Sequence, residues 1–145
     1  MDQDSTALQG YWQIRTWEQR YDDGRVAYPM GERLTGFIHY GADGRMACMI
    51  ARQDRLRVSG TQFTCTDAEK VAAYDSFFSY SGTYTIQGDR VAHHVALSLF
   101  PNWVGGDQVR RFRVAGDVLD IIARLDEGTP QARTALLSWT RSPRG

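Results

Sequence analysis

Tyr80, Tyr84, His93 and Arg110 lie in short stretches of alternating apolar and polar residues, at positions whose parity turns them to one side. Their chemistry is complementary. An imidazole ionises near neutral pH and so serves as an acid or a base. A guanidinium fork grips a carboxylate or an enolate. Two tyrosines two residues apart on a strand share a face and can steady a carbonyl or an enolate together. Acting as a set, His93 would move a proton while Arg110 and Tyr84 stabilise an enolate. Each residue also has a plainer use. His93 could be a core histidine bonded to a tyrosine or a backbone carbonyl. Arg110 could pair with Glu18 or Asp120, because an unpaired buried charge is expensive. Tyr80 and Tyr84 could be core aromatics with their hydroxyls at a rim.

Other chemistries find little support. His93 and His94 are strand neighbours on opposite faces and cannot ligate one metal. His39 is expected outside or at a rim. No HxH, HExxH or Cys/His cluster suggests a metal site. Neither GxSxG nor GxGxxG nor a P-loop occurs, so no nucleophile elbow and no cofactor is expected. Seventeen basic residues balance seventeen acidic ones, which disfavours nucleic acid and anionic membranes as partners. Cys48 and Cys65 are too few for a disulfide framework. The start, MDQDSTALQG, has no apolar signal core, and no apolar run approaches a membrane span. A cytoplasmic protein with reduced thiols is expected.

The elements that would position these residues are mostly strands. The 145 residues fit one domain over 1–145. Strands are expected at 11–20, 26–28, 33–40, 45–51, 80–87, 91–99, 109–115, 118–125 and 133–141. Asp23-Gly24, Asp43-Gly44, Gly88-Asp89 and Gly116-Asp117 supply tight turns between them. Thr66-Asp67-Ala68-Glu69 is a capping box, and the apolar spacing after it predicts one short helix over about 66–78. Hairpins in series imply an all-β, up-and-down antiparallel barrel of eight to nine strands.

Strand alternation then selects the interior. The expected inward sets are Trp12, Ile14, Thr16 and Glu18; Ile38 and Tyr40; Met46, Cys48 and Ile50; Tyr80, Gly82, Tyr84 and Ile86; Val91, His93, Val95, Leu97 and Leu99; Arg110, Phe112 and Val114; Leu119, Ile121, Ala123 and Leu125; and Ala135, Leu137, Trp139 and Arg141. Apolar walls with a few convergent polar groups describe a small-molecule pocket. Its expected lining is Trp12, Tyr40, Tyr80, Tyr84, His93, Trp103, Arg110 and Phe112. Trp103, in Phe100-Pro101-Asn102-Trp103, belongs to a loop at the barrel mouth as a lid or a plug. A small barrel can instead fill itself with side chains. In a partly open barrel, a free edge strand would offer a route to a homodimer.

Gly10-Tyr11-Trp12 resembles the GxW signature of lipocalins, in which an arginine of the last strand packs over the tryptophan; Arg141 holds that place here. Further blocks follow in order: Pro29-x-Gly31, Gly36-Phe37-Ile38-His39-Tyr40, Asp43-Gly44-Arg45-Met46, Tyr80-Ser81-Gly82-Thr83-Tyr84, His93-His94, Pro101-Asn102-Trp103, Gln108-x-Arg110 and Trp139-x-Arg141. Together they are similar to the stand-alone lipocalin-like domain proteins of bacteria and fungi, many of them near small-molecule metabolism genes. The resemblance implies a closed or nearly closed calycin-type barrel and carries over no catalytic motif. Two ligand-directed functions remain open, beside a filled barrel serving as a structural or oligomerising module. One is binding of a small hydrophobic or aromatic molecule with a polar or anionic end. The other is a cofactor-independent isomerase or cyclase acting on a polyketide-like or terpenoid substrate, with His93, Arg110 and Tyr84 in the roles above.

Overall fold

The computed structural model describes residues 6–142. Nine strands are present among them: β1 (Gly10–Tyr21), β2 (Val26–Ala27), β3 (Leu34–Tyr40), β4 (Arg45–Arg52), β5 (Phe77–Gln87), β6 (Arg90–Ser98), β7 (Asp107–Ala115), β8 (Val118–Leu125) and β9 (Arg133–Arg141). One helix, α1 (Asp67–Asp75), precedes β5, and a short 3-10 turn at Pro101–Trp103 joins β6 to β7. Every strand pairing is antiparallel, and β1 also pairs with β9. That seam closes an eight-stranded barrel, with β2 as a short addition beside β1. The β1 and β9 edges are therefore paired with each other within the chain.

Two irregularities re-aim side chains. In β1 the register to β9 shifts between Ile14 and Thr16. The extra residue reverses the inside–outside alternation beyond it. Thr16 and Glu18, expected inward, turn away from the interior, and Glu18 pairs with Arg20 on the surface. Trp17 and Gln19 take the inward positions. A second shift separates Ser81 and Gly82, so that Ser81 faces Leu97 while Gly82 faces Val95. Ala96 is the extra residue, and Leu97, expected inside, is 70% exposed. Gly82 is required at this bulge, because a Cβ there would lie 1.8 Å from the His94 carbonyl oxygen.

The helix is shorter than its periodicity predicts. Its capping box forms as expected, with Glu69 N–H donating to the Thr66 hydroxyl and Thr66 N–H donating to the Glu69 carboxylate. It ends at Asp75, and Phe77 and Phe78 open β5 instead. Ladder pairing to Ile50 and Ala51 of β4 outweighs helical spacing at these two aromatics. None of the helix residues is buried, so α1 decorates the outside of the barrel.

The core is continuous. Trp12, Ile38, Tyr40, Ile50, Val91, Leu119 and Trp139 are almost completely buried, each large apolar chain stabilising the fold by roughly 1.5–3 kcal/mol. One barrel end is sealed by Trp12, with the Arg141 guanidinium over its ring. Trp12 Nε1–H donates to the Leu8 carbonyl, and Arg141 donates to the Ala7 and Gln9 carbonyls. Gly10 sits beneath that guanidinium at φ +126°, and a Cβ there would come within 2.7 Å of it.

Candidate functional site

A cavity of about 230 Å³ occupies the other part of the barrel. Its origin is local. Ala123 of β8 faces Ala135 of β9 across the sheet, and Ala135 faces Gln19 of β1. Short side chains along this row leave space that Leu119, Ile121 and Trp139 fill elsewhere. The aromatic wall is built by Trp17, Phe78, Tyr80, Trp103 and Trp139. Phe78 receives Trp17 and Trp103 edge-on, at 5.1 and 5.6 Å between ring centroids. Trp103 also meets Tyr80 edge-on at 5.4 Å.

His93 stands behind this wall, 1% exposed. Its Nδ1 lies 2.7 Å from the Tyr80 hydroxyl and its Nε2 2.7 Å from the Tyr40 hydroxyl. Both ring nitrogens are thus engaged, so the plainer expectation for this histidine describes its contacts. Burial first, then the cation of Arg110, pushes its pKa down to about 3. The imidazole is neutral at ordinary pH. Burial likewise holds the Tyr40 and Tyr80 hydroxyls protonated, well above the ordinary tyrosine range.

Arg110 projects from β7 into the cavity. Neither expected acid reaches it: Glu18 pairs with Arg20, and Asp120 pairs with Arg113 on the outer face. The guanidinium donates instead to the Val109 carbonyl and to Gln108 Oε1. No carboxylate among the described residues forms an ion pair with it. Burial lowers its pKa, against the pull of Tyr80 and Tyr40, yet an arginine stays charged throughout. Two further donors are unsatisfied: the indole N–H groups of Trp17 and Trp139 are buried with no partner among the described residues.

A family model described as a lipocalin-like domain matches residues 9–142. The chain belongs to the lipocalin-like domain family. The protein described as the 4'-hydroxy-3'-methoxypropiophenone carrier protein ppsC, from Aspergillus oryzae, is 29% identical to this lipocalin-like chain over 111 residues, covering 68% of the chain and 98% of that protein. A lipocalin-like protein of known structure from Bacteroides uniformis superimposes with a TM-score of 0.50 at 13% identity, over 94% of this chain and 99% of that one. That likeness shows the fold alone. It agrees with the barrel, and the Arg141–Trp12 contact is the one the GxW resemblance implied.

This lipocalin-like barrel brings together Tyr80, His93, Trp103 and Arg110 of the expected site. The other four stand apart from the cavity. Trp12 seals the closed end, and Tyr40 supports His93 from behind. Phe112 is core. The Tyr84 hydroxyl donates to the Gly41 carbonyl at 2.7 Å. His94 faces out, between Thr85 and Asp107. Sequence reasoning missed Trp17, Gln19 and Phe78 in the lining. The one signal for the first pair was a tryptophan falling on the otherwise polar face Tyr11, Gln13, Arg15. No group of acidic, histidine and cysteine side chains among the described residues could hold a metal. No helix among them is long and apolar enough to cross a membrane. A larger groove of about 500 Å³ lies outside the barrel, between α1 and residues 52–58. It is an open groove edged by the Arg52–Asp54 ion pair.

Proposed function

We propose that this lipocalin-like protein binds a small aromatic molecule with a polar or anionic oxygen at one end, and carries it inside the barrel. The observation that carries this reading is Arg110, a guanidinium without an acidic partner among the described residues, facing a cavity walled by aromatic rings. The volume is suitable: a cavity of about 150 Å³ accepts benzene, so about 230 Å³ has room for one substituted ring. The carrier named for its hydroxy-methoxy aryl ketone, matched across nearly its whole length, supports the same class of ligand. Two free thiols, Cys48 and Cys65, suit the reducing cytoplasm expected for the chain.

The binding reading is preferred over the isomerase or cyclase. That chemistry asks His93 to accept a proton, and burial beside Arg110 opposes it. It also asks Tyr84 to face the substrate, whereas its hydroxyl serves Gly41. The test is quenching of tryptophan fluorescence by a panel of aryl ketones, phenols and benzoic acids, with native mass spectrometry for stoichiometry. One ligand per chain is expected, with affinity at least about tenfold weaker in Ala123→Phe, which fills the cavity. Failure of every compound to bind at millimolar concentration would sink the proposal.

A further inference from the structure

We infer that the cavity takes its ligand as an aromatic oxyanion, a phenolate or an enolate rather than the neutral acid. The inference rests on the binding function proposed above and concerns the ionisation state of the bound molecule. Its basis is a count of polar atoms around the cavity. Arg110 offers N–H groups beyond the two it spends on Val109 and Gln108. Trp17 and Trp139 each present a buried indole N–H without a partner among the described residues, and Trp139 is only 1% exposed. Gln19 spends one lone pair of its amide oxygen on Arg133 Nε at 2.7 Å, so the two N–H groups of its amide are the larger part of its free capacity. The Cys48 thiol stays protonated, because burial raises its pKa. Each of these groups has a proton to donate, and Arg110 and the two indoles can only donate. No carboxylate of the described residues lines the cavity.

The Tyr40–His93–Tyr80 chain adds a further donor. A neutral imidazole donates from one nitrogen and accepts at the other. Were Nε2 protonated, Tyr40 would accept, and its own proton would point into a core where it has no second partner among the described residues; Tyr40 is completely buried. Leaving that donor unmade costs about 1–3 kcal/mol. With Nδ1 protonated, Tyr40 donates to Nε2, Nδ1–H donates to the Tyr80 oxygen, and the Tyr80 proton is free. Tyr80 lines the cavity and Tyr40 does not. The tautomer that satisfies the core therefore turns one more O–H toward the ligand, on the side of Arg110.

A lining dominated by donors separates two forms of one molecule. A phenol or enol must place its own O–H against an acceptor, and the lining offers little for it beyond the spare lone pairs of Tyr80, Gln19 and the Cys48 sulfur. Its conjugate base accepts from Arg110 and Tyr80 and brings no proton of its own. The proton leaves to solvent before or during binding, so charge is conserved by the buffer.

The probes are para-nitrophenol, whose phenolate is yellow, and para-nitroanisole, the same ring with the oxygen methylated. At a pH where half of the nitrophenol is ionised in buffer, added protein should deepen the yellow colour. The phenolate should bind at least about tenfold more tightly than the phenol. Arg110→Met should bring that preference to within about twofold of none, and Tyr80→Phe should give an intermediate value. Melting curves should show both variants folded, and Tyr84→Phe, whose hydroxyl serves Gly41 outside the cavity, should keep both para-nitroanisole binding and the phenolate preference. Binding of para-nitroanisole with no preference for the phenolate would overturn the oxyanion inference alone. So would a preference that survives in both variants. If the wild-type protein bound neither probe, the carrier reading would fall, and this inference with it.

Discussion

The Arg141 guanidinium carbon lies 4.0 Å from the centre of the Trp12 ring, and the same group donates to the carbonyls of Ala7 and Gln9. One side chain of the last strand thus fastens the segment before the first strand and covers the tryptophan that seals the barrel. Arg141→Ala should lower unfolding free energy by about 2–3 kcal/mol, through lost cation–π contact and charge-assisted hydrogen bonds. Gly10→Ala should have a comparable effect, from its left-handed φ and its contact with Arg141. Chemical denaturation measures both. Ligand affinity should be unchanged, since Trp12 lies outside the cavity lining.

His93 predicts a pH dependence. Its folded pKa is pushed down to about 3 from 6.5, so below pH 6.5 the unfolded chain binds a proton that the folded chain refuses. The contribution of the neutral folded imidazole is fully present above 6.5. It is lost as pH falls from 6.5 toward about 3, at a slope of about 1.4 kcal/mol per pH unit. Urea unfolding of the wild type and of His93→Gln at a series of pH values isolates this slope from that of the carboxylates. Parallel curves for the two proteins would contradict the assignment.

Tyr80 and Tyr84 separate by role despite their shared parity. Tyr84→Phe removes a hydrogen bond to Gly41 and should cost about 1 kcal/mol of stability, with ligand binding intact. Tyr80→Phe touches both His93 and the cavity, so it should weaken binding as well. A calorimetric binding curve for each variant, beside its melting curve, distinguishes them.

Leu97 tests the bulge in β6. It stands 70% exposed, so Leu97→Ser should change stability by no more than about 0.5 kcal/mol. Val95, 4% exposed on the inner face, should cost about 2 kcal/mol when cut to alanine. A large loss for Leu97→Ser would mean that the strand keeps a regular register.

The barrel, its strand order and its closed end were legible because each rests on local pattern. Period-two alternation located the strands, Asp-Gly and Gly-Asp pairs located the hairpins, and Gly10-x-Trp12 with Arg141 marked the sealed end. The inward placement of His93, Arg110 and Tyr80 followed from parity in regular stretches. The failures sit where regularity breaks. A single added residue near Arg15 exchanged Thr16 and Glu18 for Trp17 and Gln19, and one at Ala96 expelled Leu97. A bulge is settled by the partner strand, which the sequence of one strand does not contain. The end of the helix was misread for a similar reason, since Phe77 and Phe78 fit helical spacing but pair with β4. The partners of Arg110 were illegible because pairing with Glu18 or Asp120 depends on those same registers.

The β1–β9 pairing has a consequence for how the chain folds. Its contacts join the first strand of the barrel to the last, the most costly loop closure in the molecule. While the chain is being made, β1 through β8 can zip as neighbouring hairpins, but the sheet keeps two open edges until the last strand emerges. Three residues of that strand, Ala135, Leu137 and Trp139, also wall the cavity. The ligand compartment is therefore the last part of the molecule to come into being. Nascent or truncated chains lacking β9 carry both an unfinished pocket and an exposed edge open to aggregation.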